Sequence, residues 1–250
     1  MGFIYVLNGK RLKNSMFIIL TALFTAWFLF VQNFVHIPVF STDKGPKAFY
    51  RGDDGVVLSF NIGWGDEKAA PIIETLEKLE VKSAVFFLSG SWAERHPDLV
   101  DKIKKRGYEI GVLGYEYKDY SELEDEQIRR DLNKALEVFK KLGIKDVEYA
   151  RAPTGHFDER FLKIAERNSL HVIHWSLDSK DWTNPGKEMI VENVASAKKG
   201  DIILLHASDS AKQTAVALPL ILKTLKDKGL EMVPLSKMVS DASSKTSEIN

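Results

Sequence analysis

The stretch Ser59–Glu67, SFNIGWGDE, ends an apolar run on Asn61 and then turns through Gly63 and Gly65 around Trp64. Where strands alternate with helices, catalytic side chains stand at the carboxyl ends of the strands. An amide in that place donates and accepts hydrogen bonds, but it takes up no proton near neutrality and cannot act as a general base. Other apolar runs end in Ser89–Trp92, in Leu113–Tyr117 and in Arg151 with Pro153. Asp178, Asp181 and Trp182 follow, then His206 with Ser208. A histidine beside a carboxylate can protonate a leaving group. Tryptophan faces stack on pyranose rings while Arg, Asp and His bond hydroxyls, so the collection suits a sugar-binding groove.

Short β-branched or aromatic runs at 55–60, 83–88, 108–113, 147–150, 171–177, 202–206 and 230–233 must deliver these residues. Helix-like stretches at 67–79, 97–106, 121–142, 158–168, 187–198 and 211–228 separate them. In the third, Leu123, Ile128, Leu132, Leu136 and Phe139 keep a nearly helical spacing, with Ser121 as N-cap and Gly143 as stop. The alternation predicts a parallel α/β architecture. No GxGxxG favours an open doubly wound sheet, and the count of runs predicts a distorted, incomplete (β/α) barrel of about seven parallel strands. One rim of such a barrel gathers all the strand ends named above.

Within 250 residues there is room for one sizeable domain and an extra segment. Lys plus Arg (35) equals Asp plus Glu (35), so no net field recruits nucleic acid, and zero cysteines exclude disulfides, thiolate metal sites and cysteine nucleophiles. The run Met16–Val31 carries no charge and follows Lys10, Arg11 and Lys13. It reads as a single-pass signal-anchor with the N-terminus inside and the remainder extracytoplasmic, a cleavable signal peptide ending near Val39-Phe40-Ser41 being the alternative. The divisions expected are a basic N-terminus at 1–14, a transmembrane helix at 15–37, a linker at 38–54, the domain at 55–236 and a disordered tail at 237–250.

Three motifs, RAPTG at 151–155, SLDSKDW at 176–182 and IILLHAS at 202–208, resemble in order and placement those of the NodB-homology polysaccharide deacetylases, carbohydrate esterase family four. The resemblance spans roughly residues 55–236. The basic anchor, the linker and WAERHPDLV at 92–100 resemble the membrane-anchored, sporulation-linked PdaB-type branch of endospore-forming bacteria. That branch implies peptidoglycan glycan of the spore cortex as the substrate class. The family's chemistry implies a divalent metal such as zinc, held by one Asp and two His. A second Asp is its base, an Arg positions that base, and a late His tuned by an Asp is its acid.

Carried over residue by residue, the Asp-Asp pair falls on Asn61 and Ile62, and the His-x-x-x-His pair on Leu113 and Tyr117. Arg151, Asp181 and His206 keep their family residue types, and Leu204 or Leu205 takes the acetyl-pocket position. No bound metal is expected. Trp64, Tyr115, Asp178, Trp182 and Leu204 are expected to contact a glycan strand. Three readings stay open: a glycan-binding pseudoenzyme, a hydrolase rebuilt around Asp66, and a non-catalytic interaction protein. Asp66 and Glu67 read more simply as caps of the following helix. His171 and His174, three apart on a strand, face opposite ways and cannot share an ion. His96 and His156 have no second ligand close in sequence, and the carboxylates at 122–126 read as a solvated helix start.

Overall fold

The computed structural model describes Leu20, Thr21 and residues 46–247. Two compact units are formed, Met1–Phe40 and Ser41–Asn250. In the first, Leu20 and Thr21 are helical, and the rest of the expected anchor lies outside the described residues, as does the linker up to residue 45. Among the described residues no helix is long and apolar enough to cross a membrane.

In the second unit, seven strands form one parallel sheet: β1 (Val56–Ile62), β2 (Val85–Leu88), β3 (Glu109–Val112), β4 (Tyr149–Ala150), β5 (His171–Val172), β6 (Leu177–Asp178) and β7 (Asp201–His206). Their order across the sheet is β5-β4-β3-β2-β1-β7-β6. Every residue of β1 and β7 is buried, which is why these central strands read as mostly apolar runs, with Ser59 and Asn61 the polar exceptions inside β1. Packed around the sheet are α1 (Ala69–Lys78), α2 (Gly90–Arg95), α3 (Pro97–Lys105), α4 (Asp125–Lys141), α5 (Glu159–Arg167), α6 (Lys187–Ala195), α7 (Thr214–Asp227) and α8 (Leu235–Ser247). Each apolar stripe follows helical spacing: α1 buries Ala69, Ile72, Ile73 and Leu76, and α4 buries Ile128, Leu132, Ala135 and Phe139. The start of α4 is set not by Ser121 but by Glu124, whose backbone N–H donates to Gln127 Oε1 at 2.9 Å.

The run 171–177, read from sequence as one strand, is two. His171–Val172 pairs with β4 at one edge of the sheet and Leu177–Asp178 pairs with β7 at the other. The five residue steps from Val172 to Leu177 can span no more than about 18 Å. The sheet must therefore curl until its edges approach, which makes it an incomplete barrel.

The expected strand at 230–233 is reduced to a single bridge, Met232 to Val56. Glu231 O accepts from Val56 N–H and Val233 N–H donates to Val56 O, but Pro234 has no N–H with which to continue. The expected disordered tail is helix α8 through Ser247, with Leu235 and Met238 buried three residues apart and Glu109 accepting from the N–H groups of Leu235 and Ser236. The linker, too, joins the domain before residue 55. Phe49 bridges Ile173, Arg51 bridges Asp201, and the Arg51 guanidinium stands 2.5 Å from the Asp201 carboxylate.

Candidate functional site

Strand alternation places Val57, Ser59 and Asn61 on one face of β1, and parallel register sets Asn61 beside Phe87 of β2 and His206 of β7. That face lines the inside of the curl, where Val57, Val85, Phe87, Leu113, Tyr149, Ile173, Ile202 and Leu235 form the core. Ile62 belongs to the opposite face of β1, is fully buried and does not line the groove described below.

Arg151, just beyond β4, enters this interior and is buried. Its Nη1 donates to Asn61 Oδ1 at 2.9 Å and to Ser59 Oγ at 3.1 Å. Nε donates to Ile173 O and Nη2 to His174 O, so the guanidinium also ties down the segment joining the two sheet edges. Beneath it lies the Phe87 ring, 4.0 Å from Cζ to the centroid. Among the described residues no carboxylate meets it. Burial pulls its proton affinity below that of an ordinary arginine, and its charge is compensated by carbonyl dipoles and aromatic faces instead of an anion.

Across β1, the His206 ring bonds through Nδ1 to Asp181 Oδ1 at 2.8 Å. Asp181 is wholly buried, and its other oxygen accepts from the His206 backbone N–H and from Thr214 Oγ1, both at 2.7 Å. The carboxylate thereby fixes the tautomer with hydrogen on Nδ1 and leaves Nε2 for the groove. Sequence reading missed Thr214, which has no motif spacing to the other two and reaches Asp181 from the first turn of α7.

Between these two clusters lies a groove of about 300 Å³ lined by Asn61, Trp64, Tyr117, Pro153, Thr154, Trp175, Asp178, Trp182, Leu204, His206, Ser208 and Ser210. Trp64 and Trp182 are 48% and 47% exposed, which leaves their faces open as walls. Tyr117 has φ of +54°, a left-handed backbone that turns its ring over Gly63. Its loop is held by Asp131 of α4, which accepts from the N–H groups of Tyr115 and Glu116 and from Tyr120 Oη. Burial raises the Tyr117 phenol above its ordinary value, so it is neutral at physiological pH. A divalent metal does not fit this donor set: two of the three family ligand positions are the hydrocarbon side chains Ile62 and Leu113, and the third is a neutral phenol. Among the described residues no group of three or more His, Cys, Asp or Glu is placed to hold an ion.

Several expected residues stand elsewhere. Tyr115 does not line the groove; its hydroxyl donates to Glu94 at 3.0 Å, and Lys134 Nζ lies 3.6 Å from its ring centroid. Asp66 is also outside, 2.8 Å from His96 Nε2 and 3.8 Å from Arg95. Neither Asp66 nor Glu67 caps α1. The N-cap position is Lys68, with no side-chain cap, and the turn before it is held by Asp209, unforeseen from sequence, which accepts from the backbone N–H groups of Asp66, Glu67 and Lys68 at 2.9–3.0 Å. His156 pairs with Asp119 at 2.7 Å, His171 is exposed at the sheet edge, and His174 stacks on Trp175 with centroids 3.8 Å apart. Asp178 lines the groove, but Lys180 engages both its oxygens. A larger hollow of about 790 Å³ lies by Leu79, Leu225 and Met232, toward the amino-terminal ends of β1 and β2, and holds no histidine.

The sequence profile of the family described as Polysaccharide deacetylase matches residues 50–173. A peptidoglycan-N-acetylglucosamine deacetylase of Bacillus cereus is 31% identical over 188 residues, which cover 74% of this chain and 87% of that protein. The uncharacterized protein YlxY of Bacillus subtilis is 31% identical over 201 residues; these are 78% of this chain and 61% of that longer protein. A CE4 family pseudoenzyme from Bacillus anthracis has a crystal structure that superposes with a TM-score of 0.72 at 28% identity, over 78% of this chain and 70% of that one. A mutant of that pseudoenzyme with restored enzymatic activity superposes with the same TM-score and identity, covering 78% of this chain and 72% of its own. The chain belongs to the polysaccharide deacetylase (CE4) family, and its curled sheet of seven parallel strands is that family's fold.

Proposed function

We propose that this polysaccharide deacetylase family member binds N-acetylated peptidoglycan glycan and leaves the acetyl group in place. In this reading the apolar segment 16–35 tethers it to a membrane, and it faces the cell-wall side during sporulation. The observation that carries the proposal is the pair Arg151–Asn61: the arginine that would orient a base holds an amide instead. Loss of a general base alone lowers a rate by roughly 10²–10⁴. Replacement of the metal donors removes several kcal/mol of charge stabilisation as well.

Four of the five expected binding residues line the groove and support this reading. Trp64 and Trp182 offer stacking faces, Leu204 gives an apolar floor for a methyl group, and His206, held by Asp181, offers its free ring nitrogen to a hydroxyl. The glycan class follows the relative named as a peptidoglycan-N-acetylglucosamine deacetylase. The tether follows the charge pattern Lys10, Arg11, Lys13 before the apolar run, and the sporulation role follows the resemblance of residues 92–100.

The test is equilibrium binding of a β-1,4-linked N-acetylglucosamine tetramer to the detergent-solubilised chain, with acetate measured in the same samples after addition of zinc. Saturable binding, weakened about tenfold or more by Trp182→Ala, with no acetate formed, is expected. Acetate release by the unmodified chain would overturn the non-catalytic reading, and absence of binding would overturn the glycan reading.

A further inference from the structure

An arginine side chain donates hydrogen bonds and accepts none, so the Asn61 atom facing Arg151 Nη1 at 2.9 Å must be the amide oxygen. The flipped amide would set two donors against each other in a buried place, at a cost comparable to an unmade hydrogen bond. The orientation is thus fixed, and Asn61 Nδ2 points away from the guanidinium. Its hydrogens meet no acceptor among the described residues, and Asn61 lines the groove. A carboxylate here would present an acceptor to the ligand; Asn61 presents a donor, backed by a guanidinium that carbonyl dipoles and an aromatic face balance without an anion.

The carboxylates nearby do not reverse this. Asp181 is engaged by His206 and Thr214, and Asp178 by the amide and ammonium groups of Lys180. From this donor floor, and resting on the glycan reading above, we infer that Asn61 makes the groove a reader of acetylation state, admitting the carbonyl oxygen of an intact acetamido group and rejecting the ammonium of a de-N-acetylated amino sugar. The acetamido oxygen accepts from Nδ2–H. An ammonium has only donors, so it would face Asn61 Nδ2 unpaired while lying in the field of Arg151.

The experiment is a calorimetric titration of the detergent-solubilised full chain with N-acetylglucosamine tetramer and, separately, with the fully de-N-acetylated tetramer in mildly acidic buffer. The unmodified chain is expected to bind the acetylated ligand at least about tenfold more tightly, the loss of one well-made hydrogen bond with added repulsion. Asn61→Asp should erase or invert the preference, because a carboxylate accepts from the ammonium. Should that variant fail to fold by circular dichroism, Asn61→Ala carries the same test and is expected to reduce the preference. Equal binding of both ligands by the unmodified chain overturns the inference while leaving glycan recognition standing. So does a preference unchanged in Asn61→Asp and Asn61→Ala. Binding of neither ligand removes the glycan reading itself, and the inference with it.

Discussion

The ring of Tyr117 fills the space that a Cβ on Gly63 would need: an added methyl would stand within 2.7 Å of three ring atoms. Gly63 is held on both sides, its N–H donating to Ser208 Oγ at 2.9 Å and its carbonyl accepting from Ser89 Oγ at 2.7 Å. The backbone therefore cannot yield, and neither can a ring packed against the core around Leu113 and Ile173. Gly63→Ala is predicted to destabilise by about 1–3 kcal/mol through overpacking. Urea denaturation measures this, and Tyr117→Ala in the same chain should recover part of the loss.

Arg151 serves four acceptors at once: Asn61 Oδ1, Ser59 Oγ and the carbonyls of Ile173 and His174. Arg151→Met keeps the length of the stem but strands those groups, and a loss of about 3–5 kcal/mol is expected. Arg151→Lys should recover only a fraction, since one ammonium cannot reproduce the planar fork. Thermal unfolding of the two variants against the parent decides it.

His174 is half-buried, its Nδ1 donating to Trp175 O at 3.1 Å, and desolvation pulls its pKa from 6.5 down to about 4. A histidine with a depressed folded pKa costs stability when protonated. Between pH 6.5 and 4 the unfolded chain holds the proton and the folded chain does not, so stability falls as pH drops through that window, by up to about 3 kcal/mol. Below about pH 4 both forms are protonated and this contribution levels off. His174→Phe, which keeps a ring on Trp175, should flatten that part of a plot of unfolding free energy against pH.

Asp209, just beyond β7 and so beside the end of β1, accepts from the three amides that lead into α1, and these bonds hold the loop carrying Trp64. Burial works against its ionisation, yet the three amides and Lys68 outweigh it and hold the carboxyl below its usual range. Asp209→Ala is predicted to cost about 1–2 kcal/mol, through loss of hydrogen bonds between a charged group and three loop amides. It should also weaken glycan binding by loosening one wall of the groove, whereas Asp209→Asn should retain much of both.

Much of this was legible in the sequence because it is local. The apolar runs that became β1, β2, β3 and β7 are contiguous, and RAPTG, SLDSKDW and IILLHAS sit at strand ends where their residues converge. What escaped depends on partners distant in sequence. Nothing within 171–177 reveals that its two halves pair with strands at opposite edges, since both halves are equally β-prone. Met238 and Leu235 are concealed among polar residues, and only the Glu109 cap and the core beneath them make α8 worth forming. Nothing in the sequence marks Asp209, because its three partners lie more than 140 positions earlier. Tyr115 was misplaced for the opposite reason: it lies two residues from Tyr117, but Gly114 at φ +69° and the Asp131 anchor turn it outward.

The most direct measurement of the central claim is the affinity of the full chain for N-acetylglucosamine tetramer, titrated once with zinc and once with excess chelator. If a rigid groove with a donor floor holds the ligand unaided, the two isotherms will coincide. A curve that collapses when the ion is withdrawn would mean that a cation seat operates beside Asn61, contrary to everything the Arg151 pairing implies.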